Sequence, residues 1–294
     1  MNDQQFLAER FEANRAHLRG VAYRMLGSVA EADDAVQEAW IRLSRTDTSD
    51  VANLRAWLRT VVGRVCLNML RSRKTRRESS LEDHVPEPMV SPEQGMDPEQ
   101  EALLGDSIGL AMLVVLDSLT PAERVAFVLH DVFAVPFDDI APIVGRSPTA
   151  ARQLASRARR RVQGTPVPDV DLDGQWAVVD AFLAAAREGD FERLVGVLDP
   201  DVVLRVEGGP GRPKLTQLVD GARDVAAQAM LFRQFTATAT RVLVNGVPGG
   251  VAWKPDGSPY AVLAMTVHGE RIVRIDVLAD PERLAELDLT PVAG

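Results

Sequence analysis

The segment Asn53–Arg77 reads NLRAWLRTVVGRVCLNMLRSRKTRR and contains eight basic residues and no acidic one. The whole chain of 294 residues has the opposite balance, with 42 acidic and 33 basic residues and a formal net charge of -9. Apolar residues recur at helical spacing in the segment, which predicts one helix with a basic side. A basic helix on an acidic protein indicates limited, directed contact with an anion rather than a general affinity for nucleic acid.

The charge is distributed unevenly along the chain and marks its organisation. Residues 1–80 have a net charge of +4, residues 81–106 of -8, residues 107–164 of +2 and residues 165–294 of -7. The two basic blocks have helical patterns throughout and are predicted to be all-α domains. Residues 81–106 are acidic, contain four prolines and have few apolar residues, so they are predicted to be an extended linker.

The rest of the chain changes character after a second predicted linker at residues 165–173. Residues 174–294 begin with two amphipathic helices and continue with short β-branched runs such as DVVLRVE at 201–207 and RIVRIDVLA at 271–279. Helices followed by a series of strands predict an α+β domain. The predicted fold is therefore multidomain, with two all-α domains followed by one α+β domain.

Several classes of protein are excluded by composition. The single cysteine, Cys66, rules out a disulfide framework and lies in an apolar run, which predicts a buried, inert thiol in a reducing compartment. The N-terminus has no apolar signal-peptide core, and no stretch approaches the length of a membrane span. The expectation is a cytoplasmic protein without a membrane partner.

Three features of the opening segment are suited to nucleic acid, and each has a simpler alternative. Trp57 is either a core residue or an aromatic wedge beside a basic face. Asn68 is either a solvated residue near a helix end or an amide that hydrogen-bonds a base edge. The cluster of cations after it, rather than being only solvated, favours phosphate contact; its members are Arg71, Arg73, Lys74, Arg76 and Arg77.

A helix-turn-helix is predicted in FDDIAPIVGRSPTAARQLASRARRRV, residues 137–162. Gly145 and Arg146 form the turn, Ser147 caps the second helix and Pro148 follows at its first position. In DNA-binding proteins of this kind the N-terminal end of the second helix meets base edges in the major groove. Packing of three helices without DNA is the alternative.

Three stretches resemble, in the same order, the conserved regions of extracytoplasmic-function (ECF) sigma factors of bacterial RNA polymerase. They are YRMLGSVAEADDAVQEAWIRL at 23–43, the opening segment, and LDSLTPAERVAFVLHDVFAVPFDDIAPIVGRSPTAARQLASRARRRV at 116–162. The resemblance covers about residues 5–163. It implies sigma domain 2 in residues 1–80, sigma domain 4 in residues 107–164, and promoter-specific initiation of transcription with core RNA polymerase.

The resemblance also implies roles for individual residues. Docking on the clamp helices of the polymerase β′ subunit falls to Asp33, Asp34, Gln37 and Glu38, which without the family would be an ordinary exposed helix face. Trp57 and Asn68 match positions that melt the -10 element and capture a flipped base, while Arg71 and the cations after it hold the backbone. Sigma domain 4 is expected on the β flap, with the -35 element read or clamped by Ser147, Thr149, Arg152, Gln153, Ser156 and Arg157. The acidic linker would pass near the RNA exit path.

Residues 174–290 resemble the SnoaL-like (NTF2-like) cone that extends a group of these sigma factors, the ECF41 type. Val85-Pro86-Glu87-Pro88 is similar to the group's linker motif Leu-Pro-Glu-Pro. The cone motifs Asp-Gly-Gly-Gly-Lys and Asn-Pro-Asp-Lys-Leu correspond to residues 207–212, where the acid is Glu and a proline interrupts the glycines, and to residues 280–284. The resemblance implies that the cone modulates activity in cis, through Pro86, Glu87, Pro88, Glu207, Gly208, Gly209, Arg212, Asp280, Pro281, Arg283 and Leu284.

An enzyme fused to a DNA-binding module, with cyclase or isomerase activity in the cone, is the competing hypothesis. His268 precedes Gly269 in a predicted hairpin turn, and Asp276 is a lone acid on a strand. No paired acid and base and no metal-ligand spacing is present, so we predict no catalytic residue, cofactor or metal. The cone aromatics are predicted to be core, while an unknown small ligand of the cone is left open. A stand-alone repressor would leave residues 20–77 unexplained.

Overall fold

The computed structural model describes residues 3–46, 53–76, 85–95, 110–163, 171–236 and 239–292. The chain forms two compact units. The first unit holds the helices up to residue 81 and those in residues 115–164, and the second holds residues 82–100 and the chain from residue 165 onward. The boundary also falls within helix α4, Leu110–Asp117, between Val114 and Val115.

The first unit begins with three helices. They are α1 (Asp3–Leu26), α2 (Val29–Ser44) and α3 (Leu54–Arg76). The hydroxyl of Ser28 caps α2 by accepting the Glu31 N–H at 3.3 Å, and the amide oxygen of Asn53 accepts the Ala56 N–H at 3.0 Å at the start of α3. These local caps explain why the helices begin where they do.

The same unit contains the predicted helix-turn-helix. Helix α5 (Pro121–Phe127) continues through a π-helical turn, Val128–Val132, and is followed by α6 (Phe137–Val144) and α7 (Pro148–Val162). Thr120 and Glu123 form a capping box before α5, and Gly145 ends α6 with a left-handed φ of 68°. The Ser147 hydroxyl then caps α7 by accepting the Ala150 N–H. The turn residues and caps read from the sequence are confirmed.

Helix α3 packs directly against α5 and α6, so helices of the two all-α regions belong to one unit. A Cβ atom at Gly63 would lie 3.4 Å from the side chains of Ile143 and Leu129, which shows how closely the helices approach. The buried Arg124 guanidinium donates to the Met25 carbonyl at 2.9 Å and to Asp117 at 2.7 Å. The sequence predicted two domains joined by a linker, and this direct contact between them is an addition from the structure.

His17 lies in this contact, with its ring edge-on to Phe133 at a centroid distance of 5.3 Å. Burial, and then the charges of Arg55, Arg59 and Arg24, lower the pKa of His17 from 6.5 to about 4. The unfolded chain therefore binds more protons than the folded chain between these two pH values. The stability that comes from keeping His17 neutral is present above pH 6.5 and is lost as the pH falls toward 4.

We therefore expect acidification from pH 6.5 to pH 4.5 to lower the melting temperature of the unaltered chain more than that of His17→Phe. The variant keeps an aromatic ring against Phe133 but cannot take up a proton. Carboxylates titrate in both proteins, so the difference between their pH profiles isolates His17. Thermal melting followed by circular dichroism gives the comparison, and equal losses in the two proteins would contradict the assignment.

The second unit is an α+β domain around one mixed sheet. Its helices are α8 (Leu172–Glu188), α9 (Phe191–Val197), α10 (Ala222–Leu231), α11 (Arg233–Thr236) and α12 (Pro281–Glu286). The strands are β1 (Val90–Pro92), β2 (Leu198–Glu207), β3 (Gln217–Asp220), β4 (Thr240–Val244), β5 (Val247–Trp253), β6 (Pro259–His268) and β7 (Arg271–Leu278). Their order is β1-β4-β5-β6-β7-β2-β3; β2 and β7 are parallel, and the other neighbours are antiparallel.

Helix α8 packs on β5, β6 and β7, and the core between them includes Trp176, Phe182, Leu204 and Met265. The α+β architecture predicted for this part of the chain is confirmed. The two residues weighed for catalysis lie apart from one another: His268 is exposed at the hairpin after β6, while the buried Asp276 binds Arg274 through both carboxylate oxygens, at 2.8 and 2.9 Å.

None of the helices in the described residues has the length and apolar character that a membrane crossing requires. The described part of the chain also has no group of three or more His, Cys, Asp or Glu residues arranged to hold a metal ion.

Candidate functional site

One face of α3 carries the residues expected at the -10 element. Asn68, Arg64 and Arg71 are exposed, and Trp57 is half-buried three helical turns from Asn68. Their spacing places all four on one side of the helix. Arg64 was not among the predicted site residues, although its position four residues before Asn68 could have indicated it. Cys66 lies in the buried side, where burial raises the pKa of its thiol.

The cation cluster after Asn68 is less uniform than the sequence indicated. Arg73 is partly buried, donates to the Leu26 carbonyl at 3.0 Å and forms an ion pair with Glu31. This guanidinium therefore ties the end of α3 to α1 and α2. Arg77, predicted to contact the backbone with it, lies outside the described residues, as do the side chains of Lys74 and Arg76.

The acidic face of α2 holds the residues expected to dock on polymerase. Asp33, Asp34 and Gln37 are exposed and Glu38 is half-exposed, opposite a buried face that begins at Ala32. Asp33 accepts two hydrogen bonds from Arg19 at 2.6 and 3.0 Å, and Glu38 accepts one from Arg42 at 2.8 Å. The helix thus presents a continuous polar surface whose first acid is held in place by α1.

Helix α7 presents a polar face opposite its buried residues Ala151, Leu154, Ala155 and Ala158. All six residues predicted for the -35 element are exposed on it or at its cap: Ser147, Thr149, Arg152, Gln153, Ser156 and Arg157. The Arg152 guanidinium carbon lies 5.3 Å from the centre of the Phe137 ring, and the exposed Arg157 guanidinium pairs with the buried Glu123 carboxylate at 3.3 Å. Both arginine side chains are exposed on α7.

Residues predicted as linker are bound to the sheet of the second unit. Strand β1 pairs with β4, with Val90 opposite Val244 and Pro92 opposite Val242. Val85, Pro86, Pro88 and Met89 before it are buried, and Glu87 is half-buried. The segment from Val85 to Pro92 is therefore an ordered edge of the sheet, where the sequence predicted an extended tether.

The three motifs that the resemblance singled out meet at one place. An oxygen of Glu207 accepts the Val85 N–H at 2.5 Å and the Arg283 guanidinium at 2.7 Å. Asp280 caps α12 by accepting the Glu282 N–H, and the following Leu284 is buried. We call Glu207 and Arg283, together with the Val85 amide that Glu207 binds, the linker clamp.

The glycines of residues 207–212 are required by the closeness of this packing. A Cβ atom at Gly209, whose φ is 62°, would lie 2.1 Å from the Asp280 carboxylate, and one at Gly208 would lie 2.2 Å from the Arg212 carbonyl. Arg212 donates to the carbonyls of Tyr260 at 3.0 Å and Ala279 at 2.9 Å and lies over the Tyr260 ring. The loop is therefore a tightly fitted turn that positions Glu207. A Cβ atom at Gly211 would lie 3.6 Å from Pro281, the first residue of α12.

Two further contacts on the linker were missed by sequence reasoning. The Asn245 amide oxygen accepts the Met89 N–H at 3.1 Å, and the Asn245 N–H donates to the Met89 carbonyl at 2.8 Å. Arg241 binds Glu93 at 2.8 Å and Asp180 at 3.2 Å. Asn245 and Gly246, with φ of 53° and 78°, form the hairpin turn between β4 and β5. An Asn-Gly pair predicts such a turn, but it does not predict a contact with Met89, 156 residues away.

Comparisons with known proteins agree with this arrangement. Sigma-70 region 2 matches residues 10–76, and Sigma-70 region 4 matches residues 110–162. The ECF RNA polymerase sigma factor SigJ of Mycobacterium tuberculosis is 39% identical over 290 residues, which cover 93% of this chain and 91% of SigJ. The chain is an ECF RNA polymerase sigma factor. As a member of this family it directs promoter-specific initiation of transcription.

The likeness extends through the second unit of the sigma factor. SigI of the same species, described as a probable ECF RNA polymerase sigma factor, is 34% identical over 294 residues, covering 98% of each chain. The crystal structure of SigJ covers 96% of this sigma factor and 99% of its own chain, with 35% identity and a TM-score of 0.78. The α+β domain is thus shared with relatives of nearly the same length.

Proposed function

We propose that the α+β domain of this sigma factor regulates initiation in cis by holding the segment between the two sigma regions. The observation that carries the proposal is the docking of Val85–Glu93 on the sheet, through β1, the linker clamp and the contacts of Asn245 and Arg241. The segment is the covalent connection between α3 and α4. A docked connection limits the separation that the two sigma regions can reach, and initiation requires them at two promoter elements.

Packing inside the first unit leaves the promoter-contact residues exposed. Asn68 on α3 and Arg152 on α7 are both exposed, even though α3 packs against the helix-turn-helix. Contacts among the helices of this unit therefore do not bury its DNA-reading faces. Regulation acts instead through the spacing of the two faces, which is fixed in the docked form and must change when polymerase binds.

For the contacts themselves we propose the roles that the resemblance implies. Asp33, Asp34, Gln37 and Glu38 dock on the β′ clamp helices, and sigma region 4 meets the β flap. Trp57, Asn68 and Arg71, joined by Arg64, melt and capture the -10 element, while α7 reads the -35 element. Among the cations predicted to hold the DNA backbone, Arg73 is the least available, because its guanidinium already binds Glu31 and the Leu26 carbonyl. Bacterial core polymerase and promoter DNA are in the cytoplasm, so we propose the same location for the sigma factor.

The proposal treats the α+β domain as a regulator rather than an enzyme. Asp276 is held by Arg274 on its own strand, and His268 is exposed at a hairpin end, so they form no acid–base pair with one another. Both groups therefore have ordinary structural explanations.

A short truncation tests the proposal. Removing residues 280–294 deletes Arg283, and with it the ion pair on Glu207, while leaving every strand of the sheet in the chain. We expect transcription with core polymerase to rise about tenfold, since the truncation removes the guanidinium that positions Glu207 for the Val85 N–H and the turn Thr290–Val292 that packs on β1. Loss of the charge-assisted bond to Val85 would weaken docking by about 1.5 kcal/mol or more. Removing residues 174–294 should change activity as well, and a fall below the short truncation would mean that the domain also supports the polymerase-bound state. If both truncations transcribe like the unaltered chain, the regulatory proposal is wrong.

A further inference from the structure

The second unit contains a cavity of about 100 Å³ between α8, α10 and the sheet. Its wall is apolar over most of its area and includes Phe182, Leu204, Phe232, Met265 and Ile275. The aromatics of this domain were predicted to be core; Phe182 is buried in the core and also lines the cavity, as does Phe232. A dry apolar cavity of similar size, about 150 Å³, binds a single aromatic ring.

Two amides give the cavity a polar point. Gln217 on β3 and Gln228 on α10 both line it, and the Gln217 amide nitrogen donates to the Gln228 amide oxygen at 3.2 Å. Each primary amide has two donor hydrogens and two acceptor lone pairs, so this one bond leaves capacity for a ligand group. An apolar wall with one polar point is the usual composition of a small-molecule site.

The cavity wall adjoins the linker clamp. Val206 lines the cavity, and the next residue, Glu207, accepts the Val85 N–H. Ala279 also lines it, and its N–H donates to the Glu207 carbonyl at 2.7 Å. Tyr260 lines it as well, while its ring and carbonyl hold Arg212. Three wall residues therefore contact or adjoin the groups that position the clamp.

We propose that this cavity binds a small, uncharged aromatic or apolar molecule with one hydrogen-bonding group, and that its occupation strengthens docking of the linker. A ligand shifts an equilibrium only through a difference in affinity for the two states. The cavity has its present shape with the linker docked, so a ligand that fits this shape favours the docked state. The coupling rests on the proposed regulatory function, whereas the binding site does not.

Phenol and toluene are matched probes, since they have nearly the same size and only phenol carries a hydroxyl. Ligand-observed NMR on the entire chain should detect both, with phenol bound about fivefold more tightly. Ala229→Leu fills the cavity from α10 and should abolish binding, while Ala227→Leu, on the exposed side of the same helix, should leave it unchanged. Gln228→Leu should remove the preference for phenol without preventing toluene from binding. Failure of both probes, or equal binding to Ala229→Leu, overturns the site.

Hydrogen exchange of residues 85–95 measures the coupling without polymerase. Saturating phenol should slow exchange of the segment at least threefold in the unaltered chain and in Ala227→Leu, and not in Ala229→Leu. Phenol that binds without changing this exchange overturns the inference. The transcription experiments on the truncations decide the regulatory proposal separately, so the two failures can be told apart.

Discussion

Replacing Glu207 by alanine is expected to raise single-round transcription about tenfold when the sigma factor is limiting. One oxygen of Glu207 accepts both the Val85 N–H, at 2.5 Å, and the Arg283 guanidinium, at 2.7 Å. A hydrogen bond to a charged group contributes about 1.5–3 kcal/mol, and 1.4 kcal/mol corresponds to a factor of ten in an equilibrium constant. Alanine also leaves the Arg283 charge without this partner, but that ion pair lies within the α+β domain, so the docked state loses chiefly the bond to Val85.

Two matched variants separate the parts of this effect. Glu207→Gln keeps an acceptor for Val85 but removes the charge opposite Arg283, and Arg283→Ala removes only the ion pair. Both should give smaller increases than Glu207→Ala. Hydrogen exchange of residues 85–95 should accelerate in the same order. Transcription that is equal in all four proteins would show that the linker clamp does not restrain the sigma factor.

Asn68→Ala is expected to reduce open-complex formation about tenfold or more, with little effect on binding to duplex promoter DNA. Asn68 is exposed on α3, so the loss of its side-chain amide should leave folding intact. A side chain that reads a base edge contributes about 1–3 kcal/mol, which is roughly 5- to 150-fold in the melting equilibrium. Permanganate footprinting of the -10 region at saturating holoenzyme measures the open fraction directly.

Ser72→Ala is the control for this experiment, because Ser72 is exposed on the same helix one turn further along. It should melt the promoter like the unaltered sigma factor. Full melting by Asn68→Ala would remove Asn68 from the -10 site, and equal loss in both variants would indicate damage to α3 rather than loss of a base contact.

The helical part of the fold could be predicted because its signals are local. Thr120 with Pro121, Gly145, and Ser147 with Pro148 each act within one helical turn, and the structure has the caps and the left-handed turn that they predict. The exposed faces of α2 and α7 followed from the same periodicity. Arg73 shows what composition alone cannot predict. As part of a basic cluster it was predicted to contact DNA, whereas it binds Glu31 and the Leu26 carbonyl, which lie more than 40 residues earlier in the sequence.

The strand pairing of the linker could not be predicted because its contacts are distant in sequence and largely made by the backbone. Strand β1 has three residues, one of them proline, and pairs with a strand about 150 residues later. Main-chain hydrogen bonds have no side-chain signature, so an acidic, proline-rich segment is predicted as a tether. The resemblance implied regulatory contacts by Glu207 and Arg283, but it implied none by Asn245 or Arg241.

The position of β1 at the end of the sheet also affects the released state. β1 is short and ends in Pro92, which has no N–H, so it closes the sheet with little that a further strand could bind. When the segment leaves, the backbone of Thr240–Val244 becomes an open edge that another molecule can extend. If release of the segment activates the sigma factor as proposed, the active form would also expose this strand edge, and self-association would compete with polymerase for that form.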